Sequence, residues 1–201
     1  MKSLFIVLDG LDGSGKGEMV KRLEKYLLDK GLRVLVTMEP TDAEYGKQVK
    51  EILKNEKDPK ANAEECLQLF VKDRAEHLQK EIEPFLKQNN SVVICDRYYY
   101  STIAFQHTQG IDLAKLIIEN AMFRTPDVTF ILDLPADVAL ERVEKRGENK
   151  EKFEQLGFME ELRNNFLKLK EELDDNMKII DSSKSKDGVF EQIKEEVDKL
   201  I

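Results

Sequence analysis

The chain is poor in residues that staple small folds or hold metals. Its 201 residues include two cysteines, Cys66 and Cys95, and two histidines, His77 and His107. The cysteines make neither a metal-ligand spacing nor a disulfide framework, which predicts two small buried hydrophobes in a reducing compartment. Each histidine stands without further ligands nearby, so both are read as structural. No apolar run is long enough to cross a membrane, and the short N-terminal run leads straight into a glycine-rich turn, unlike a signal peptide. The cytoplasm is the expected setting, with no membrane partner. A basic excess is missing too: the formal charge is −8. That argues against nucleic acid as a partner, since phosphate backbones demand a basic face. Any anionic substrate must be held by a few focused cations in a pocket. No repeat, low-complexity tract or Pro/Gly/Ser-rich linker divides the chain, so one domain over 1–201 is expected.

What is present begins at Leu4-Phe5-Ile6-Val7-Leu8, a run that predicts a strand buried on both faces. It feeds Asp9-Gly10-Leu11-Asp12-Gly13-Ser14-Gly15-Lys16-Gly17, after which Met19, Val20, Leu23, Tyr26 and Leu27 recur at helical spacing. Strand, glycine-rich turn and helix are the context in which Gly10-x-x-x-x-Gly15-Lys16 becomes a P-loop over residues 10–17. Backbone N–H groups of Gly10, Leu11, Asp12, Gly13, Ser14, Gly15, Lys16 and Gly17 can curl around ATP phosphates, and the helix N-terminus adds its positive end. Lys16 supplies a mobile charge. The usual Ser or Thr after the lysine is replaced by Gly17, followed by Glu18. A dinucleotide-binding turn fits worse, because the G-x-G-x-x-G spacing is absent.

Further strands are predicted at Arg33–Met38, Val92–Cys95, Val128–Leu134 and Lys178–Asp181, with helices between them. One long helix is expected from Ala63 to about Lys87, carrying Phe70 and Arg74 on one face. Another is expected to start at Ser101. Asp96-Arg97-Tyr98 directly follows a core strand, where ligands bind in open α/β sheets. The segment 142–153, rich in Arg and Lys, is either a solvated helix end or a cationic lid over phosphates. The pattern predicts an α/β protein with a five-stranded parallel sheet between helical layers, the fold of P-loop nucleotide-binding proteins.

Five blocks in order resemble thymidylate kinases, over nearly the whole chain. They are the P-loop; Glu39-Pro40-Thr41; Leu69-Phe70-Val71-Lys72-Asp73-Arg74-Ala75-Glu76; Asp96-Arg97-Tyr98 through Ser101 to Ala104-Phe105-Gln106; and Pro126-Asp127 through Asp133 to Pro135. The resemblance implies the three-layer α/β/α P-loop kinase form of that fold, with a short helical lid, and transfer of the ATP γ-phosphoryl to dTMP, with Mg²⁺, in a homodimer. It directs Asp12 at the 3′-hydroxyl of dTMP, stacks Phe70 on thymine beside Arg74, and places Asp96 and Arg97 where the phosphate sites meet, with Arg97 on the acceptor phosphate. Glu39, Tyr98, Ser101, Phe105 and Gln106 fall in the substrate-binding blocks. Lys16, Arg97 and a lid cation would carry the catalysis. Gly13 and Ser14 offer no P-loop arginine, so the lid is expected to supply it, with Arg146 first and Arg142, Lys150 and Lys152 behind; Arg142 is also an ATP-site candidate.

Departures from the pattern are specific. Without a P-loop hydroxyl, the metal is expected on ATP oxygens and waters, with Glu18 or Asp96 reaching it through water. Met38 stands where many relatives have arginine, leaving the acceptor phosphate to Arg74 and Arg97. His107-Thr108-Gln109 replaces a small, glycine-rich stretch, which predicts relaxed base specificity. The alternatives are a kinase for another nucleoside monophosphate or for a deoxynucleoside, with Glu39 as base, and a non-catalytic nucleotide-binding regulator. A GTP switch is disfavoured because no Asn-Lys-x-Asp follows a strand.

Overall fold

The computed structural model describes residues 3–55, 61–145 and 156–201. β1 (Leu4–Gly10) is buried along its whole length. Leu4, Ile6 and Leu8 point into one core and Phe5 and Val7 into the other, which is why the strand is apolar without alternation. It pairs in parallel with β3 (Ser91–Asp96) and β4 (Val128–Asp133). β2 (Arg33–Met38) and β5 (Met177–Asp181) close the two sides. Among the described residues the strands form one parallel five-stranded sheet in the order β2-β3-β1-β4-β5.

One face of the sheet is covered by α1 (Lys16–Asp29) and α9 (Lys186–Val197), through Met19, Leu23, Leu27, Val189, Ile193 and Val197. The other is covered mainly by α3 (Ala63–His77), α5 (Tyr99–Thr108) and α8 (Leu156–Glu172). Around this second layer lie α2 (Glu44–Asn55), α6 (Leu113–Asn120) and α7 (Ala136–Glu144). The result is the three-layer α/β/α P-loop kinase fold. Register brings Met38 opposite Asp96, Leu8 opposite Asp96, and Asp133 opposite Asp181, so the carboxyl ends of the strands form one edge. Among the described residues, no helix is long and apolar enough to cross a membrane.

Two elements differ from their sequence pattern. The helix expected from Ala63 to Lys87 runs on to Leu86, but its ladder widens into a π-helical turn at Leu78–Ile82 between α3 and α4 (Glu83–Leu86). Pro84 lacks an N–H and crowds the preceding turn, so the regular ladder cannot run through it. And α5 starts at Tyr99 rather than Ser101, because its first N–H groups find their acceptor on another strand. Tyr98 N and Ser101 N donate to Asp9 Oδ2 at 3.2 and 3.0 Å. Asp9 thus caps α5 from the end of β1, the service a local Ser or Asp performs elsewhere.

Candidate active site

The glycine-rich turn leaves β1 and enters α1 at Lys16. Lys16 Nζ donates to the carbonyls of Gly10 and Leu11 at 3.1 and 2.9 Å, folding the side chain back over the turn. Burial, with Arg97 adding repulsion, lowers its pKa to about 8 against the pull of Asp12 and Asp96. Gly13 has φ +81°, and a Cβ there would lie 2.4 Å from the Ala139 carbonyl of α7. The turn is pressed so closely on α7 that no side chain fits, which accounts for the missing P-loop arginine at this position. Gly17 is different: an added Cβ meets nothing within 4 Å. Glu18 is drawn sideways. Its Oε1 accepts from Arg22 Nε at 2.9 Å, its Oε2 lies 3.7 Å from Lys186 Nζ, and its pKa is lowered, first by the Arg22 hydrogen bond.

Arg97, one residue past β3, has φ +70°, a left-handed conformation that is uncommon for a non-glycine residue and clusters at functional sites. Its N–H donates to Leu8 O at 2.9 Å. Its Nη1 donates to Gly10 O and Ser101 Oγ at 3.1 and 2.8 Å, and Nη2 to Asp12 Oδ1 at 2.6 Å. Burial opposes the charge, but Asp12, Asp9 and Asp96 outweigh it and raise the pKa. Asp9 is buried beneath, accepting from Gly10 N at 2.8 Å and Ser101 Oγ at 2.6 Å. Burial raises its pKa against Arg97, Ser101 and Lys16. Sequence reasoning gave Asp9 no role. A carboxylate closing an otherwise apolar strand was the available signal.

Two cavities flank Arg97. The first is lined by Phe70, Arg74, Tyr98, Ser101, Thr102, Phe105, Gln106 and Gln109, with Met159 and Leu162 from α8. The structure corrects the phosphate role expected of Arg74. Its Nε donates to Glu39 Oε2 at 2.9 Å, Nη1 to Asn120 Oδ1 at 2.6 Å and Nη2 to Thr102 Oγ1 at 2.9 Å. The guanidinium lies 5.1 Å from the Tyr98 ring centroid and 5.4 Å from that of Phe123. With its nitrogens committed inside the protein, Arg74 braces the cavity wall. Glu39 is equally engaged, its Oε1 lying 3.1 Å from His77 Nδ1. His77 Nε2 in turn meets Thr37 Oγ1 at 2.8 Å, so this histidine is a buried strut behind the cavity. Phe70 and Phe105 are half-buried and line the space from two helices.

The second cavity lies over the P-loop and is lined also by Met38, Asp96, Arg142, Ser182, Lys184 and Lys186. Arg142 bridges Gly13 O and Ser182 O, at 3.4 Å each. Asp96 Oδ1 is buried with no hydrogen-bond partner. An unpaired carboxylate oxygen beside the phosphate turn fits the water shell of a divalent cation better than Glu18, whose oxygens face Arg22 and Lys186. Among the described residues, no group of three or more His, Cys, Asp or Glu side chains could hold a metal ion by itself. Ser182, Lys184 and Lys186 were missed by sequence reasoning; their signal was position just past the last strand. Arg146, Lys150 and Lys152 lie outside the described residues. Asp12, Glu39 and Arg97 line both cavities.

A family model described as thymidylate kinase matches residues 8–193. A probable thymidylate kinase of Pyrococcus horikoshii is 40% identical over 196 residues, spanning 96% of this chain and 95% of that protein. One from Thermococcus kodakarensis is 37% identical over 204 residues, spanning 98% of each chain. A thymidylate kinase of Leptospira interrogans is 38% identical over 172 residues, spanning 84% of this chain and 82% of that protein.

Proposed function

The chain belongs to the thymidylate kinase family, and on that premise we propose how its residues divide the work of ATP-dependent phosphorylation of dTMP to dTDP. The observation that carries this reading is the wall shared by the two cavities, made of Asp12, Glu39 and Arg97. ATP lies over the P-loop, its phosphates on the backbone N–H groups and Lys16, with Arg142, Ser182 and Lys184 toward the base. dTMP lies in the other cavity, thymine against Phe70, its phosphate on Arg97 and its sugar toward Asp12. Asp96 would hold Mg²⁺ through water, and the ion would neutralise charge on the transferring group.

The acceptor phosphate is ionised at neutral pH, so the transfer needs little proton abstraction. Lys16 and Arg97 hold the donor and acceptor phosphates in line and stabilise charge that spreads over the transferring group. Arg146 is proposed as the further cation. The engagement of both Glu39 oxygens argues against a nucleoside acceptor, which would need a free base at its 5′-hydroxyl. Two copies of the chain are proposed to associate, since Ile118 on α6 and Met122 just beyond it are 73% and 80% exposed. The cytoplasm is the proposed setting, in keeping with two buried cysteines that form no disulfide.

The test is ADP release with Mg-ATP and a panel of dTMP, dUMP, UMP, CMP, AMP and thymidine. Turnover should be greatest with dTMP. Turnover with another acceptor alone would reassign the substrate, and none with any would favour a nucleotide-binding regulator.

A further inference from the structure

Gln109 lies at the carboxyl end of α5, three residues after Gln106, so the two side chains meet on one helix face. Gln106 Nε2 donates to Gln109 Oε1 at 2.9 Å, and both residues are buried on the wall of the dTMP cavity. Gln106 Oε1 is buried with no hydrogen-bond partner. The frame beneath is tied down. Ile111 N donates to Gln106 O at 3.0 Å, His107 Nδ1 meets Ile111 O at 2.9 Å, and Asn165 Nδ2 of α8 donates to Thr108 Oγ1 at 2.9 Å. An amide carries one acceptor and one donor group on opposite sides, and anchoring the donor decides which way the acceptor faces.

We infer that Gln109 is a specificity-determining positioning residue that locks the Gln106 amide so that its oxygen faces the acceptor base and selects pyrimidines carrying a proton on N3. The inference rests on the placement of the dTMP base in this cavity. A buried acceptor without a partner is unfavourable until a donor reaches it. Thymine and uracil supply N3–H. Cytosine presents a lone pair at that atom and is repelled by a fixed oxygen, whereas a freely turning amide could offer its NH₂ instead. The replacement of the expected glycine-rich stretch by His107-Thr108-Gln109 therefore sharpens base selection in place of relaxing it.

The experiment compares the wild type, Gln109→Met and Gln109→Glu with dTMP and dCMP at saturating Mg-ATP, with thermal unfolding as a check on folding. Gln109→Met removes the acceptor at similar size. It should raise KM for dTMP about tenfold with kcat little changed, and lower the dTMP-to-dCMP ratio of kcat/KM about tenfold. Gln109→Glu keeps an acceptor for Gln106 Nε2 and should retain most of the wild-type ratio. An unchanged ratio in folded Gln109→Met, or equal loss in both variants, would overturn the inference. Independently of any variant, dTMP methylated at N3 should bind the wild type at least about tenfold more weakly than dTMP; equal binding overturns it too. If the wild type does not use dTMP at all, the functional assignment itself fails, a result distinct from these.

Discussion

Arg97 Nη2 reaches Asp12 Oδ1 at 2.6 Å and so joins the end of β3 to the phosphate-binding turn. The contact lies on the wall shared by the two cavities, and with dTMP placed as proposed an arriving acceptor phosphate would compete with Asp12 for the guanidinium. Arg97→Lys keeps a charge but loses the planar fork. It should lower kcat about 10²- to 10³-fold in steady-state assays. A loss smaller than tenfold would remove Arg97 from the transfer step.

Lys16 gives a pH dependence with a definite sign. Its pKa is about 8 in the nucleotide-free protein, because burial disfavours the charge. Below pH 8 the protonated amine attracts phosphate, and above it the proton is lost. Nucleotide binding raises the pKa again, so affinity must fall as pH rises through 8. The Kd for ADP should be about tenfold weaker at pH 9 than at pH 7 by calorimetry. Lys16→Met should abolish that slope.

Glu39 compensates a fully buried Arg74 through a 2.9 Å ion pair. Glu39→Gln would leave the guanidinium without its counter-charge. Breaking a buried pair from one side costs about 3–5 kcal/mol, which in a chain of this size lowers Tm on the order of 10 °C. A scanning-calorimetry shift below about 3 °C would show that Asn120 and Thr102 suffice.

Gly13→Ala tests the approach of the phosphate turn to α7. The added methyl meets the Ala139 carbonyl, and the left-handed backbone disfavours it as well. The two effects together should destabilise by about 2–5 kcal/mol and weaken ATP binding. Gly17→Ala, where the space is open, is the control and should fold normally by thermal melting.

The exposed pair Ile118 and Met122 bears on association. Sedimentation of the wild type should report a dimer, and Ile118→Glu with Met122→Glu should shift it toward monomer. A dimer unaffected by both changes would place the interface elsewhere.

Much of this architecture was legible in one dimension. The apolar run Leu4–Leu8 signalled a strand covered on both faces, and the glycine spacing before Lys16 signalled the turn that follows it. Local rules failed where a distant partner decided the outcome. The start of α5 was misplaced because its cap, Asp9, sits on another strand. The helix from Ala63 reached the expected length, but its apolar stripe gave no sign of the π-helical turn inside it. Arg74 looked like a phosphate ligand because nothing in its neighbourhood along the chain shows that Glu39, Asn120 and Thr102 would surround it.

By itself the sequence determined the α/β class, the position of the phosphate turn and the order of the strands along the chain. Periodicity and glycine placement are properties of neighbours in sequence, and they need no fold to be read. Only the tertiary structure decided which charges are free to meet a substrate. The parallel register brings Asp9, Asp96 and Arg97 to one edge, and burial then commits Arg74 and Glu39 to each other while leaving Arg97 between two cavities. Desolvation and pairing depend on what lies across space, so packing decided which charged residues pair with one another.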